Sequence, residues 1–353
     1  MRVSLHRSRL PWLFAAVLVV FLLALWGAGR SAPVAAELCG GQTGIECRSG
    51  VIRAETPDAP NRARDISARL PPGPSTVVLA GRSSGELAVG AGLATAFGGP
   101  LLVMPAAGLP GELDAELLRL APERIILVGR DPAAVRLADF IAATGPNPRA
   151  DEVILIGGPD APTISAEAAG LFERRVPVAY VVGDHDSRPM INVAMLLAKE
   201  PGPVIVTHYG SVPEAVARAL SRLAPQRLVV VGGSTGFTTR VEQQLIRYAG
   251  AGRPLQVTRI ETHPRETGVA IARTDLTPVR EAYLVSMHDA VGAFATAAVA
   301  HRSGGPILAT GFELTRPVTE VIDLLDPESV IIVGGAAPVG RQTDDEVGDT
   351  LRR

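Results

Sequence analysis

The segment Gly81-Arg82-Ser83-Ser84-Gly85 has residue types and spacing that could do chemistry. It satisfies G-x-S-x-G, the pattern in which a serine between a strand and a helix acts as the nucleophile of hydrolases. Such a serine needs an acid and then a histidine later in the chain, and the last histidine, His301, falls within a predicted helix. An exported serine hydrolase or esterase that uses Ser83 is therefore an alternative interpretation, and the favoured one has no catalytic residue.

The most polar cluster of the chain follows Gly183. Asp184, Asp186 and Arg188 could contact a ligand there. One histidine, His185, with two aspartates is too small a set for a metal site unless the fold adds a further carboxylate. We therefore expect ligand contacts at this loop without a metal and without a cofactor.

Arginine and acidic residues at the ends of predicted elements are the other candidates. Arg53 and Arg259 lie in predicted strands, and arginine can hold phosphate or carboxylate by two parallel hydrogen bonds. Structural pairing inside the protein is the competing role for both. Three acidic residues begin predicted helices, where they either complement the helix dipole or contact a ligand; they are Glu86, Glu214 and Asp289.

The elements that must position these residues recur along the chain. Short apolar runs at 281–285, 307–310 and 330–333 alternate with helical stretches, and the same order appears at 75–129 and, in shorter form, at 203–233. The interval from Arg53 to Gly129 equals that from Arg259 to Gly335. This pattern predicts an α/β protein of three pseudo-repeated, small parallel-sheet units of Rossmann-like or flavodoxin-like type, packed together. We place the units at 51–175, 176–256 and 257–348.

The first 36 residues predict an export segment. A basic end precedes an uncharged apolar run at 12–26 and small residues at 32–36, which is typical of either a cleaved signal peptide or an uncleaved membrane anchor. The rest of the chain is then extracytoplasmic, at the cell wall or cell surface, secreted or tethered. Because that compartment is oxidising, we expect Cys39 and Cys47, in a linker at 37–50, to form a local disulfide.

Composition disfavours several function classes. The net charge is -2, which disfavours a nucleic-acid partner. Aromatic residues make up 4% of the chain, so extended stacking platforms for sugars are not expected. The sequence has no P-loop, no G-x-G-x-x-G after its first strand and no H-E-x-x-H. Nucleotide-binding, dinucleotide-binding and zinc-protease functions therefore have no motif behind them.

As an ordered set, these motifs resemble the type 2 cell-wall-binding repeat of Gram-positive surface proteins. A unit of that family has an Arg-Ile start, an Asp-Arg-Tyr helix start, an Asp-Ala-Leu helix start, a Gly-x-Pro turn and a closing Val-Gly-Gly. The likeness covers roughly residues 51 to 340. The matching segments are 257–272, Asp289-Ala290, Gly305-Pro306 and 333–335 in the third unit, Glu86-Leu87 and Gly99-Pro100 in the first, and Glu214-Ala215 and 231–233 in the second.

The resemblance implies a non-catalytic exported protein that binds an anionic cell-wall polymer or a peptidoglycan-attached glycan, and that could also partner another exported protein. The membrane would be reached through the N-terminal segment alone. No unit keeps the Asp-Arg-Tyr triplet; the third has Pro264-Arg265-Glu266 there, which makes Arg265 a further candidate contact. A small-ligand protein that binds a phosphorylated sugar at the carboxyl ends of its strands is the third interpretation.

Overall fold

The computed structural model describes residues 45–48, 50–54, 56, 58–105, 111–130, 132–143, 150–184, 187–232, 236–334, 339–340 and 342–351. The predicted export segment, Cys39 and Asp186 lie outside these ranges. The side chains of Cys47 and Arg188 are also outside what is described. The predictions made for these residues, including the disulfide, therefore stay predictions.

Thirteen strands and twelve α-helices make up the described part of the chain. In chain order they are β1 (Ile45–Arg48), β2 (Val51–Ala54), α1 (Ala59–Ser67), β3 (Thr76–Ala80), α2 (Ser84–Phe97), β4 (Leu101–Val103), α3 (Gly111–Leu120), β5 (Arg124–Val128), α4 (Pro132–Ala143), β6 (Glu152–Ile156), α5 (Ala161–Ala168), β7 (Val178–Gly183), α6 (Ser187–Lys199), β8 (Val204–Thr207), α7 (Glu214–Leu223), β9 (Arg227–Val231), α8 (Thr239–Gly250), β10 (Gln256–Ile260), α9 (Pro264–Ala272), β11 (Glu281–Ser286), α10 (Ala290–Ser303), β12 (Ile307–Thr310), α11 (Arg316–Leu325), β13 (Ser329–Val333) and α12 (Gln342–Thr350).

The strands form three sheets, each built on four parallel strands in the same order. The first sheet is β4-β3-β5-β6, the second is β8-β7-β9-β10, and the third is β12-β11-β13-β2. In the third sheet β1 adds an antiparallel strand outside β2. The predicted α/β class with three repeated parallel-sheet units is confirmed.

The sheets divide the chain at other points than the sequence repeat. β10 completes the second sheet, although we placed residues from 257 onward in the third unit. β2, at the start of the first unit in sequence, completes the third sheet and so closes the three units into one body. The reason is that the helix after each fourth strand leaves its own sheet and packs against the edge strand of the next: α1 on β4, α5 on β8 and α9 on β12.

Apart from β1, β6 and β10, the strands are buried on both faces along nearly their whole length, which is why they read as continuous Val, Ile and Leu runs. Side chains alternate between the faces: Val78 and Ala80 enter one large inner core, whereas Val77 and Leu79 enter an outer core. The inner core contains α2, α6 and α10 and side chains from all three sheets. The outer faces are covered separately, by α3 and α4, by α7 and α8, and by α11 and α12.

The predicted Gly-Gly-Pro turns precede β4 and β12. Gly98 ends α2 with φ +70° and Gly304 ends α10 with φ +73°, in the left-handed region that favours glycine. A Cβ on Gly99 would lie 1.7 Å from the carbonyl oxygen of Thr76. The second glycine of the turn is thus required by a close approach of two backbones.

None of the helices in the described ranges combines the length and the hydropathy needed to cross a membrane.

Candidate functional site

In parallel α/β sheets, ligands bind at the carboxyl ends of the strands, where the strand order reverses. Here that position is the crevice between the ends of β3 and β5, of β7 and β9, and of β11 and β13. The bridging helices α1, α5 and α9 begin beside the same edge. We call the regions around their first turns the α1, α5 and α9 junctions.

The carboxylate of Glu86 fills the crevice of the first sheet. Its Oε1 accepts a hydrogen bond from the Arg130 N–H at 2.9 Å, and its Oε2 accepts from the Ser83 N–H at 3.1 Å and the Ser83 hydroxyl at 2.7 Å. Ser83 in turn caps α2, because its Oγ accepts from the Glu86 N–H at 3.3 Å. The G-x-S-x-G serine therefore forms a capping box, a helix-start role that needs no histidine.

The crevice of the second sheet is covered by an aromatic ring. A Cβ on Gly183 would lie 2.2 Å from the Tyr209 ring, and that ring packs against Phe237 with centroids 5.2 Å apart. Beside it, Asp184 Oδ2 lies 2.6 Å from His208 Nδ1. Asp184, the first residue of the polar loop predicted at 184–188, therefore pairs with the imidazole of His208.

The third crevice again contains a carboxylate of the protein itself. Asp289 caps α10, since its Oδ1 accepts from the Gly292 N–H at 3.0 Å. The Nε of Arg62, on α1, lies 2.9 Å from Asp289 Oδ2. Asp289 is 9% exposed, so this pair is largely removed from water. Glu214, by contrast, is the exposed first residue of α7 and pairs with Arg218.

Arg53 and Arg259 occupy equivalent places in their sheets. Arg53 lies beside Ile332 of β13 and Arg259 beside Val230 of β9, the fourth residue of each neighbouring strand. Each arginine pairs with an acidic residue of the outer helix that follows the neighbouring strand: Asp344 on α12 for Arg53, and Glu242 on α8 for Arg259. The copying inferred from the sequence intervals therefore extends to a matched ion pair.

The environment of Arg53 favours structural pairing over ligand contact. Its side chain is 1% exposed. Its Nε donates to Asp344 Oδ1 at 3.0 Å, and its remaining N–H groups reach that carboxylate and the backbone oxygens of Gly334, Val339 and Gly340. A guanidinium has five N–H groups, and here they are all used within the chain. Arg259 is 50% exposed and so stays accessible.

The α5 and α9 junctions carry different side chains at matching places. At the α5 junction the helix cap is Asp160 and the residue after β8 is His208. The hydrogen bond from the Thr163 side chain lowers the pKa of Asp160, and the Thr163 N–H, His208 and Arg130 act in the same direction. With Asp184 also present, this junction is rich in acid. Among the described residues no set of three or more His, Cys, Asp or Glu side chains is placed to bind a metal ion.

At the α9 junction the two matching positions carry a histidine and a glycine. The cap of α9 is His263, and the residue after β12 is Gly311. Arg265, in the first helical turn, points its guanidinium to Gly311, where a Cβ would lie 2.6 Å from Nη2. Its Nε is buried and has no hydrogen-bond partner among the described residues.

A groove of about 640 Å³ runs from this junction between α9 and the start of α11. Its polar lining includes Arg265, Arg273 and Glu266, and its apolar lining includes Val269 and Pro317. The groove combines a cationic end with an apolar floor, an arrangement suited to an elongated anion with apolar surface. The complete lining is His263, Arg265, Glu266, Val269, Ala270, Arg273, Thr315 and Pro317.

Sequence reasoning missed His208, Tyr209 and Arg62 as members of these sites. His208 and Tyr209 follow β8 directly, and the ends of parallel strands meet at one edge, so that position was an available signal. Arg62 was not among the candidates from the sequence. Its pairing with Asp289 depends on β2 joining the third sheet, which no local pattern predicts.

The fold and these junctions define a class of protein, three like α/β units closed into one body around shared inner helices. No protein-family model and no curated protein sequence matches the chain. Solved structures share the fold, among them two from Clostridium difficile. Cwp8 from Clostridium difficile superposes with a TM-score of 0.71 at 20% identity, covering 86% of this chain and 52% of that one. Cwp6 from Clostridium difficile superposes with a TM-score of 0.67 at 18% identity, covering 86% and 48%. This chain thus spans about half the length of each.

Proposed function

We propose that this chain is an exported, non-catalytic protein of the cell surface that holds an anionic cell-wall polymer in the groove beside α9. Two lines support the proposal. Its fold is shared with Cwp8 and Cwp6, cell wall proteins of Clostridium difficile. Its motif order resembles that of the type 2 cell-wall-binding repeat.

The observation that carries the proposal is the buried Nε of Arg265, which has no hydrogen-bond partner among the described residues. A partly buried cation without a partner costs free energy, and an ionised ligand group would offset that cost with charge-assisted hydrogen bonds. Arg265 lies in the first turn of α9, and Thr315 immediately precedes α11, so two helix N-termini add a favourable potential for an anion. Arg273 extends the basic lining, although it pairs with Glu320 at 3.4 Å.

The groups that fill the three crevices disfavour binding of a small anionic ligand there, which leaves the α9 groove as the better anion site. Glu86 and Asp289 each place a carboxylate in a crevice, and Tyr209 covers the one beside Asp184. A phosphorylated ligand would meet negative charge or an aromatic ring there. The lining of the α9 groove, outside the crevices, has one carboxylate, Glu266, against two guanidinium groups, Arg265 and Arg273.

Retention on purified cell-wall sacculi tests the proposal, before and after acid removal of their anionic polymers. We expect binding to fall on stripping, and Arg265→Gln to weaken binding to intact sacculi by about 10- to 100-fold, the loss of one charge-assisted contact of about 1.5–3 kcal/mol. Arg218→Gln is the matched control, because Arg218 is exposed on α7 and already paired with Glu214. Unchanged binding by Arg265→Gln would place the polymer elsewhere, and binding that survives stripping would exclude an anionic polymer as the ligand.

A further inference from the structure

The fourth strand of each sheet lies at the same outer edge, but the three edges are not equally covered. In the third sheet, β2 is buried along its whole length because β1 pairs with it on the outside. In the first and second sheets, no strand of the described residues pairs with the outer side of β6 or β10. Glu152 to Leu155 of β6, and all of β10, are exposed or half-buried.

The two open edges differ in the charges that they carry. Proteins protect open edges with charged side chains, which resist pairing with another chain. β10 has Arg259 near its middle, half-exposed. β6 has Leu155 at the matching register place, opposite Leu127, the fourth residue of β5. After Glu152, β6 reads Val-Ile-Leu-Ile without a charge.

We infer that the β6 edge pairs with the β6 edge of a second copy of this chain, so that two first sheets join into one eight-stranded sheet. β1 on β2 is the precedent within the molecule, an antiparallel strand seated on the equivalent edge. A two-fold axis perpendicular to the sheet makes two identical edge strands antiparallel. The second copy therefore supplies the geometry that the third sheet obtains from β1.

The residue pattern of β6 fits a two-fold axis through Ile154. Val153 of one copy then lies opposite Leu155 of the other. Both side chains belong to the outer face, where they pack against the outer core of the first unit. Apolar cross-strand pairs of this kind stabilise antiparallel sheets. The neighbouring helix α4 packs on β6 and carries the exposed side chain of Val135, which extends the apolar surface beside the edge.

Sedimentation of the full chain at increasing concentration, corrected for any detergent, tests the inference. We expect the mass to rise from the 36.8 kDa of one chain towards twice that value. The rise should depend on concentration, because pairing of a five-residue edge buries less surface than the roughly 1,000 Å² typical of stable interfaces. Leu155→Arg, which gives β6 the charge that the equivalent strands have, should abolish the rise. Thr258→Arg on β10 is the matched control and should leave it intact.

An Ile154→Cys variant keeps the test decisive if Leu155→Arg does not fold. Residues directly opposite in an antiparallel pair have Cα atoms about 4.5–5.5 Å apart, within the range that a disulfide spans. Oxidation should convert this variant to a covalent dimer, whereas the parent chain, with Cys39 and Cys47 alone, should not form one. A wild-type mass that stays at one chain throughout, a Leu155→Arg mass that rises as in wild type, or failure of Ile154→Cys to cross-link above the parent each overturns the inference.

Discussion

Replacing Arg53 by leucine should destabilise the protein strongly, because Arg53 holds the closure of the three units. The side chain extends from β2, the second strand of the described residues, to Asp344 on α12, the last helix of those residues. The two side chains are 1% and 7% exposed. Removal of one partner leaves a buried carboxylate unpaired, which costs about 3–5 kcal/mol. That is a large part of the roughly 5–15 kcal/mol that stabilises a typical domain.

The equivalent pair in the second unit provides the control. Arg259 is paired with Glu242 at the matching place, but it is 50% exposed, and solvent-exposed pairs contribute about 0–1 kcal/mol. Urea unfolding followed by circular dichroism should therefore show a loss of about 3–5 kcal/mol for Arg53→Leu and at most about 1 kcal/mol for Arg259→Leu. The double variant Arg53→Leu, Asp344→Leu should recover part of the loss, since no charge is then left buried.

Equal, small effects of the two leucine substitutions would refute this reasoning. They would mean either that water reaches Asp344 or that β2 contributes little to the third sheet. A loss for Arg53→Leu that the double variant does not reduce would instead assign the effect to the freed carbonyl oxygens of Gly334, Val339 and Gly340.

Two further predictions concern local features. Gly98→Ala should cost about 1 kcal/mol, because the left-handed backbone is the sole obstacle and no atom lies within 4 Å of the added Cβ. Gly99→Ala should be far more damaging in the same unfolding assay, because its Cβ would lie 1.7 Å from the Thr76 oxygen. Equal losses of stability for the two variants would contradict the close approach. Because the folded-state pKa of Asp160 is lowered, its ionised form stabilises the fold above the ordinary pKa of 3.8, and this contribution is lost as pH falls through the folded-state pKa. Asp160→Asn keeps a capping oxygen, but it should be less stable than wild type at neutral pH and equally stable at the acid end. A difference in stability that does not change with pH would show that ionisation of Asp160 does not matter.

Local pattern was sufficient to predict most of the fold. Buried apolar runs located the strands, and equal intervals located the copies; the register of Arg53 and Arg259 confirms that the copies are equivalent. The exchange of β2 into the third sheet was not predictable, because apolar periodicity is the same whichever sheet a strand joins. Only the pairing of β2 with β13, between distant parts of the chain, decides it.

The candidate residues divide by how local their partners are. Glu86 and Asp289 were predicted to lie at helix starts from their positions in the sequence, and both take part in local helix caps. Arg265 was singled out through the family resemblance. Its Nε is buried without a hydrogen-bond partner among the described residues, and the neighbouring position after β12 is glycine. This feature depends on tertiary packing. The pairs that join different units, such as Arg62 with Asp289, required the tertiary arrangement.

Copying of one unit gives three similar junctions, and substitution then makes them differ. A carboxylate in a crevice is held by backbone N–H groups at a helix start, the position where an anionic ligand would otherwise bind. Glu86 and Asp289 therefore occupy that position with groups covalently part of the chain, which stabilises the loops and removes the crevice as an anion site. Under the function proposed above, the polymer binds where the copies have lost such pairing. The α9 junction meets that condition, because Arg265 retains its charge there while Gly311 leaves the space beside it open to the groove.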